Sequence, residues 1–333
     1  MLRMPEFEVH HPTTPEEAVA LRAELPGSMY VAGGTDLLPN LKHRLHEPPH
    51  LIALSRLSGL DRIEQDPDGS LILGASTPLA ALAGSELLAA SVPGLVEAAA
   101  SIAGPQHRRM GTLGGNVMLD TRCLFYNQSR PWRQAVGGCL KKDGDWCHVI
   151  GSAKACVAAQ SSDTVPMLVA LDARLRALLP GGERRELPLL ELFSRDGRFE
   201  QRHTLPPEAL ITHVHVPSPG AGHRSTYRKV RARSAVDYPQ LSIALAATLE
   251  GERCTALQVV IGAMLPQPRP VPGLHALIGE ALTDEVCEAI AEKAYKAARP
   301  QPQLHGEPSW RRHLCRIETR RGLQQLRSGP QPR

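Results

Sequence analysis

The chain has 333 residues, a length that fits two or three domains better than one. Its formal net charge of +4 is mild and argues against a dedicated nucleic-acid binder. No apolar run is long enough to cross a membrane, and residues 1–17 lack the apolar core of a signal peptide, so we expect a cytoplasmic protein without a membrane anchor. Seven cysteines in a long cytosolic chain are more typical of metal ligands or packed thiols than of disulfides.

The first part of the chain alternates helices with short apolar strands. Thr13 or Thr14 can cap a helix over 13–24, because a threonine hydroxyl accepts a hydrogen bond from the first free N–H groups. The elements that follow are a strand over 29–32, a turn at Gly33-Gly34, a helix over 37–45 and a strand over 51–54.

A hairpin and a helical stretch come next. Residues 61–76 carry a turn, Asp-Pro-Asp-Gly, between two apolar runs and predict a hairpin. Residues 78–103 are rich in alanine and leucine and predict helical structure, with a break at Pro93-Gly94. A second glycine turn, GTLGGN, follows at 111–116. Residues 120–160 then show no clean periodicity.

Regular structure returns in the second half, which is predicted to be partly antiparallel. Thr283 is predicted to cap a helix that ends near Ala298, and Ser309 a helix over 310–326. The other predicted elements are regular structure over 165–179, strands over 211–216, 227–230, 243–250 and 256–263, and loops over 180–186 and 217–223.

The two glycine turns are candidate anion sites. Glycine lets backbone N–H groups approach an anion closely, and a turn that opens into a helix aims the positive end of the helix dipole at that anion. Two such turns could hold a pyrophosphate between them. Each turn alone also fits an ordinary tight turn. Neither is a G-x-G-x-x-G fingerprint or a G-K-[ST] phosphate loop, which disfavours ordinary dinucleotide-binding and nucleotide-hydrolysing folds.

Several motifs, in order along nearly the whole chain, resemble the FAD-binding medium subunit of the xanthine dehydrogenase and carbon monoxide dehydrogenase family. They are VAGGTDLLPNLKHRL (31–45), GTLGGN (111–116), SSDTVPMLVALDA (161–173), ALITHVHVP (209–217) and YRKVRARSAVD (227–237). The resemblance implies an α+β fold, with a two-part FAD-binding domain and a C-terminal domain of antiparallel sheet and helices. We expect subdomain 1 over 1–58, subdomain 2 over 59–215 and the C-terminal domain over 216–333.

By motif match, the resemblance also implies a set of FAD-binding residues. Both glycine loops would wrap the pyrophosphate, Asp163 would lie on the ribose–phosphate side, and Leu210 and Lys229 would lie near the isoalloxazine ring, with Asp237 in support. Lys229 could stabilise negative charge on the reduced flavin. The implied loop residues are Ala32, Gly33, Gly34, Thr35 and Asp36 in the first loop and Thr112, Gly114, Gly115 and Asn116 in the second.

Four cysteines in the irregular segment form a candidate metal site. They are Cys123, Cys139, Cys147 and Cys156, with the spacing C-x15-C-x7-C-x8-C. Zinc and a [4Fe–4S] cluster both accept four thiolates, and unrelated thiols are the remaining alternative. The other cysteines, 254, 287 and 315, are predicted to be packing residues.

The cysteine segment, 120–160, lies between Asn116 and Asp163, which follow one another after a short link in most of the family, so it resembles an insertion. TRCLFYNQS, GGCLKKDGDWCHVI and AKACVA resemble the inserted loop of 4-hydroxybenzoyl-CoA reductase β-subunits, in which four cysteines hold a [4Fe–4S] cluster. Some aldehyde oxidoreductases have a related insertion with a different cysteine spacing.

The resemblance implies an electron-transfer subunit without catalytic residues of its own, and no Ser–His–Asp set or paired general acid and base is present. Ferredoxin would reduce the cluster, and electrons would pass through FAD to [2Fe–2S] clusters on a small subunit. They would end at a molybdenum cofactor on a large subunit, where 4-hydroxybenzoyl-CoA would become benzoyl-CoA. A heterotrimer paired into a hexamer is the implied assembly.

Two other functions stay open at this point. One is another molybdenum hydroxylase, which would oxidise an aldehyde or an N-heterocycle. The other is a zinc-stabilised scaffold without enzymatic activity, whose glycine loops are merely turns.

Overall fold

The first part of the chain forms a small parallel sheet. The computed structural model describes residues 3–302 and 307–329, and here the strands lie in the order β1-β3-β2. The Thr14 hydroxyl accepts a hydrogen bond from the Glu17 N–H, which confirms the predicted cap. The elements are β1 (Glu8–His10), α1 (Pro15–Glu24), β2 (Met29–Val31), α2 (Leu37–Lys42) and β3 (His50–Ala53).

The second part forms a five-stranded antiparallel sheet with short helices around it. Its strand order is β4-β5-β8-β6-β7. The elements are β4 (Ile63–Gln65), β5 (Leu71–Gly74), α3 (Leu79–Ala83), α4 (Glu86–Ser91), α5 (Pro93–Ala100), α6 (Pro105–Met110), α7 (Leu113–Val117), α8 (Arg130–Ala135), α9 (Thr164–Ala170), β6 (Arg174–Leu178), β7 (Arg184–Pro188) and β8 (Leu210–Val216).

Two predictions in this part need correction. The predicted break at Pro93-Gly94 is confirmed, because Pro93 begins α5, but Ser85 caps α4 and adds a second division, so the stretch over 78–103 forms α3, α4 and α5. The polar segment 180–186, predicted as a loop, contains the start of β7. This edge strand begins with three exposed charged residues, Arg184, Arg185 and Glu186, so its hydrophobic pattern is weak.

The third part is a four-stranded antiparallel sheet covered by two helices. Its strand order is β12-β11-β10-β9. Thr283 caps the first helix as predicted, whereas the predicted Ser309 cap is wrong. The second helix begins at Pro308, whose fixed φ suits the first helical turn. The elements are β9 (His223–Val230), β10 (Leu241–Glu250), β11 (Arg253–Gly262), β12 (Arg269–Pro270), α10 (Asp284–Ala297) and α11 (Pro308–Ser328).

The α+β fold class is confirmed by these three sheets and their helices. Cys254, Cys287 and Cys315 are buried between α10, α11 and the third sheet, as predicted for packing residues. The exact domain bounds stay a prediction. No helix within residues 3–302 and 307–329 combines the length and apolar character that a bilayer span needs.

Arg311 is a fully buried arginine that fastens α11 to the third sheet. Its guanidinium donates to the carbonyls of Gln240, Ala263 and Gln301 at 2.6–2.9 Å, and burial lowers its pKa to about 10. Arg311→Leu leaves the buried carbonyl of Ala263 and the half-buried carbonyls of Gln240 and Gln301 without this donor, so we expect a loss of about 3 kcal/mol in the free energy of unfolding, measured in urea. The exposed Arg320→Leu on the same helix should change it by less than about 0.5 kcal/mol.

Candidate cofactor cleft and cysteine loop

A cleft of about 880 Å³ opens between the three parts of the chain. This volume is near the upper end of the range for cofactor pockets, so the cleft has room for a dinucleotide. Twelve of the thirteen predicted cofactor residues line it: Ala32, Gly33, Gly34, Thr35, Asp36, Thr112, Gly114, Gly115, Asn116, Asp163, Leu210 and Asp237.

The two glycine turns lie in direct contact at the wall of this cleft. A Cβ atom built on Gly33 would lie 1.7 Å from the carbonyl oxygen of Met110, immediately before the second turn. A Cβ on Gly114 would lie 2.9 Å from the side chain of Ala75. Glycine is therefore needed at Gly33 and Gly114 for close packing, which the motif alone did not reveal.

The two turns differ in the state of their backbone N–H groups. In the first turn, the N–H groups of residues 33–36 donate to no acceptor within the described chain. In the second turn, Leu113, Gly114 and Asn116 donate to backbone carbonyls, and Gly115 donates to the Thr112 hydroxyl. Four adjacent free donors fit an anionic group such as a pyrophosphate, because such a group accepts several N–H bonds at once. The second turn has fewer donors to offer.

Asp163 and Lys229 form a buried ion pair behind the cleft. Lys229 Nζ lies 2.8 Å from Asp163 Oδ2 and also donates to the Ser101 carbonyl, and the Tyr227 hydroxyl donates to Asp163 at 2.6 Å. Burial raises the pKa of Asp163, while Lys229 and Tyr227 act in the opposite direction. Lys229 does not itself line the cleft, so its position near a flavin ring stays a prediction.

Asn116 and Asp237 hold neighbouring backbone in place. The Asn116 amide oxygen accepts hydrogen bonds from the hydroxyls of Ser162 and Thr164 at 2.6 and 2.7 Å, which ties the second turn to the start of α9. The Asp237 carboxylate accepts from the N–H groups of Arg233 and Tyr238. Both side chains therefore shape the cleft from its rim.

Three residues at or beside the cleft were not predicted from the sequence: Arg122, Ser161 and Tyr238. The Arg122 guanidinium bonds the Asp36 carboxylate and, at 3.2 Å, the Tyr238 hydroxyl, so it joins the first turn to the third part of the chain. Ser161 lines the cleft, and its buried hydroxyl has no partner within the described chain. The SSD motif offered a signal for Ser161. No local pattern marks Arg122, whose role becomes visible only through its hydrogen bonds to distant residues.

The cysteine segment has little regular structure, as predicted. It contains the short helix α8 and no named strand. The structure brings all four cysteines around one small cavity, which Phe125 and His148 also line; the four are Cys123, Cys139, Cys147 and Cys156. No three of the four sulfurs lie within 4.8 Å of one another.

Burial affects the chemistry of these thiols. It raises the pKa of Cys156 to about 11 and the pKa of Cys123 above its ordinary value. A buried thiol in such surroundings becomes a thiolate when a cation compensates its charge, which a metal does on binding. The loop is thus suited to metal ligation and unsuited to free reactive thiolates.

Lys141 connects the cysteine loop to the wall of the cleft. It lines both cavities, and its buried ammonium donates to the Asp120 carboxylate, the Thr121 hydroxyl and the Gly197 carbonyl at 2.6–2.8 Å. Tyr126 also donates to Asp120, at 3.2 Å. This buried network fixes the loop beside the cleft.

Two neutral histidines flank the network, and they predict a loss of stability in acid. Burial lowers the pKa of His46 to about 4 and of His203 to about 3, against an ordinary value of 6.5. Their stabilising contribution is complete above pH 6.5 and declines as the pH falls toward those values, because the unfolded chain then binds more protons. We expect His46→Gln/His203→Gln to reduce the stability loss between about pH 7 and pH 5 by about 3 kcal/mol, measured in urea.

The matched control for this prediction is His11→Gln, which changes an exposed histidine. It should leave the pH dependence of unfolding as in the wild type. Equal acid sensitivity of the wild type and the double variant would contradict the assignment of buried neutral histidines.

The fold and the cleft define a divided domain with two adjacent glycine turns at a cleft large enough for a dinucleotide cofactor. The family model for the FAD binding domain in molybdopterin dehydrogenase matches residues 5–219, and that for the CO dehydrogenase flavoprotein C-terminal domain matches residues 225–326. The chain belongs to the FAD-binding medium subunits of the molybdenum hydroxylase family, which includes xanthine and carbon monoxide dehydrogenases.

Relatives over nearly the full length support this assignment. The aldehyde oxidoreductase FAD-binding subunit PaoB of Escherichia coli (strain K12) is 30% identical over 89% of this chain and 92% of its own. The carbon monoxide dehydrogenase medium chain of Hydrogenophaga pseudoflava is 26% identical over 96% of each. A solved carbon monoxide dehydrogenase from the same organism superposes with a TM-score of 0.78, at 25% identity over 97% of both chains.

Proposed function

We propose that this chain holds FAD in the cleft and passes electrons within a molybdenum enzyme. The observation that carries the proposal is the set of free N–H groups at residues 33–36, facing a cleft of dinucleotide size. Gly33 brings the two turns together, Gly114 packs the second turn against Ala75, and Arg122 joins the first turn to the third part of the chain. When bound, FAD supplies the electron-accepting and electron-donating chemistry.

The four cysteines are proposed to bind a [4Fe–4S] cluster. A single zinc ion holds its sulfurs about 3.8 Å apart, because each Zn–S bond is about 2.3 Å long. In every set of three of these sulfurs, at least one pair lies more than 4.8 Å apart. This spacing supports a cluster, in which each cysteine binds a different iron. The cluster would supply one-electron transfer, and burial of the thiolates together with Lys141 would influence its potential.

The partners are proposed from the relatives. Several of these are named as medium chains, and one solved carbon monoxide dehydrogenase is described as a form that lacks the Mo-pyranopterin moiety of the molybdenum cofactor. We propose a large molybdenum-cofactor subunit and a small [2Fe–2S] subunit as partners, in a heterotrimer that pairs into a hexamer.

Two reactions are candidates for the assembled enzyme. The resemblance of the cysteine loop supports 4-hydroxybenzoyl-CoA reductase, with ferredoxin as electron donor. The similarity to an aldehyde oxidoreductase subunit supports oxidation of an aldehyde, with electrons flowing outward. An N-heterocycle substrate belongs to the same second class. In either case the organic substrate would bind to another chain.

The experiment that tests the cofactor set is the FAD, iron and zinc content of the anaerobically purified chain. We expect about one FAD and about four irons per chain. Cys139→Ser should lose the iron and keep the flavin. Cys315→Ser removes a buried thiol of the third part and should keep both. Zinc without flavin would overturn the proposal, and flavin without iron would overturn the cluster.

Assays of the purified complex separate the two reactions. Reduction of 4-hydroxybenzoyl-CoA with reduced ferredoxin supports the first reaction. Aldehyde oxidation with an artificial electron acceptor supports the second. The complex should perform one of these at a rate that depends on Cys139.

A further inference from the structure

Two histidines and a glutamate lie together on the first sheet, away from the cleft, on the edge strand β1 and its neighbour β3. In the parallel pairing of β1 with β3, Glu8 lies opposite His50, and His10 follows two residues along β1. Side chains two residues apart on a strand point to the same face, so all three converge on one side of the sheet. They line neither the cleft nor the cysteine cavity.

The donor atoms of this trio are spaced as ligands of one small cation. His10 Nε2 lies 3.1 Å from His50 Nδ1. Glu8 Oε2 lies 4.0 Å from His10 Nε2 and 3.5 Å from His50 Nδ1. A tetrahedral zinc ion with ligand bonds of about 2.0–2.1 Å separates its donors by about 3.3 Å. Within the described residues, this is the only set of three or more Cys, His, Asp or Glu ligand atoms that all lie within 4.8 Å of one another.

The trio is also partly preorganised. The His10 and His50 side chains are only 21% and 26% exposed, and the backbone ladder between β1 and β3 fixes their relative position. The Glu8 carboxylate is 69% exposed and open to water, which leaves room for a fourth, solvent ligand. Adjacent imidazoles and a carboxylate are the ligands that zinc and neighbouring first-row divalent metals prefer.

We propose that Glu8, His10 and His50 bind a divalent metal of the zinc class on the edge of the first sheet. The metal would link β1, a strand of only three residues, to β3 and so stabilise the first sheet. The role is structural and separate from electron transfer.

Zinc titration of the purified, flavin-containing chain tests this site. The wild type is expected to take up about one zinc ion per chain more than His10→Ala/His50→Ala, and this additional binding should raise the melting temperature of the wild type and not that of the double variant. Glu8→Gln should weaken that binding by about tenfold or more. His11→Ala, which changes the exposed neighbour, should bind zinc as the wild type does.

Cobalt absorption separates this site from the cysteine loop. The trio is expected to give weak visible bands without an intense sulfur-to-cobalt band in the near ultraviolet, because its ligands are nitrogen and oxygen only. Equal zinc uptake by the wild type and the double variant would overturn the proposal. Loss of zinc uptake in the His11→Ala control would overturn it as well. Loss of the sulfur band in a cysteine variant with retained zinc at the trio would support it.

Discussion

Gly33→Ala is expected to deprive the purified protein of its FAD. The added methyl group would lie 1.7 Å from the carbonyl oxygen of Met110, and backbone on both sides leaves no flexible side chain to move aside. The two glycine turns must therefore separate. Overpacking of this kind costs up to about 3 kcal/mol, which corresponds to about a hundredfold weaker binding. The measurement is the flavin absorbance per chain, together with the dissociation constant from a titration of apoprotein with FAD.

Gly84→Ala is the matched control. It makes the same chemical change at a residue with φ of −104°, where the new Cβ would lie 3.4 Å from the Ala80 carbonyl oxygen, an ordinary contact. This variant should keep its FAD. Circular dichroism should show that both variants are folded. Full retention of FAD by Gly33→Ala would mean that the contact between the turns does not shape the cofactor site.

Local sequence signals predicted the elements that surround the site. The Thr14 and Thr283 caps follow from hydrogen bonding between neighbouring residues, and both are present. The glycine turns were recognisable for the same reason, since glycine pairs between a strand and a helix change the local backbone. Strand β7 was missed because its three consecutive charged residues at a sheet edge resemble a loop.

Contacts between distant residues account for what the sequence did not reveal. Arg122 reaches Asp36 and Tyr238, which lie 86 and 116 residues away in the chain. The hydrogen bonds that occupy the N–H groups of the second turn also come in part from a distant strand end, at Ala75 and Thr77. Only the folded chain shows that the first turn keeps four adjacent N–H groups free, whereas most N–H groups of the second turn are occupied. Periodicity and motifs carry no information on such pairings.

Lys141→Met is expected to release the cysteine loop from the cleft wall and to destabilise the protein strongly. Both side chains of the Lys141–Asp120 pair are at most 6% exposed. Burial opposes ionisation of Asp120, yet the ammonium of Lys141 and the guanidinium of Arg202 hold the pKa of Asp120 below its ordinary value. Removing the ammonium leaves a buried carboxylate with only Arg202, 3.5 Å away, as a cation. We expect a cost of about 3–5 kcal/mol in the free energy of unfolding.

The double variant Asp120→Asn/Lys141→Met tests whether charge pairing is the cause. It removes both charges and keeps the side-chain sizes, so it should be more stable than Lys141→Met alone, because no unpaired carboxylate stays buried. Urea unfolding of the wild type, both single variants and the double variant gives the coupling energy. We expect coupling of about 2 kcal/mol or more, since the partners are in direct contact and desolvated. If the free-energy changes of the two single variants simply add in the double variant, Lys141 acts through Thr121 and Gly197 alone. Neutral hydrogen bonds, and not the buried ion pair, would then hold the loop in place.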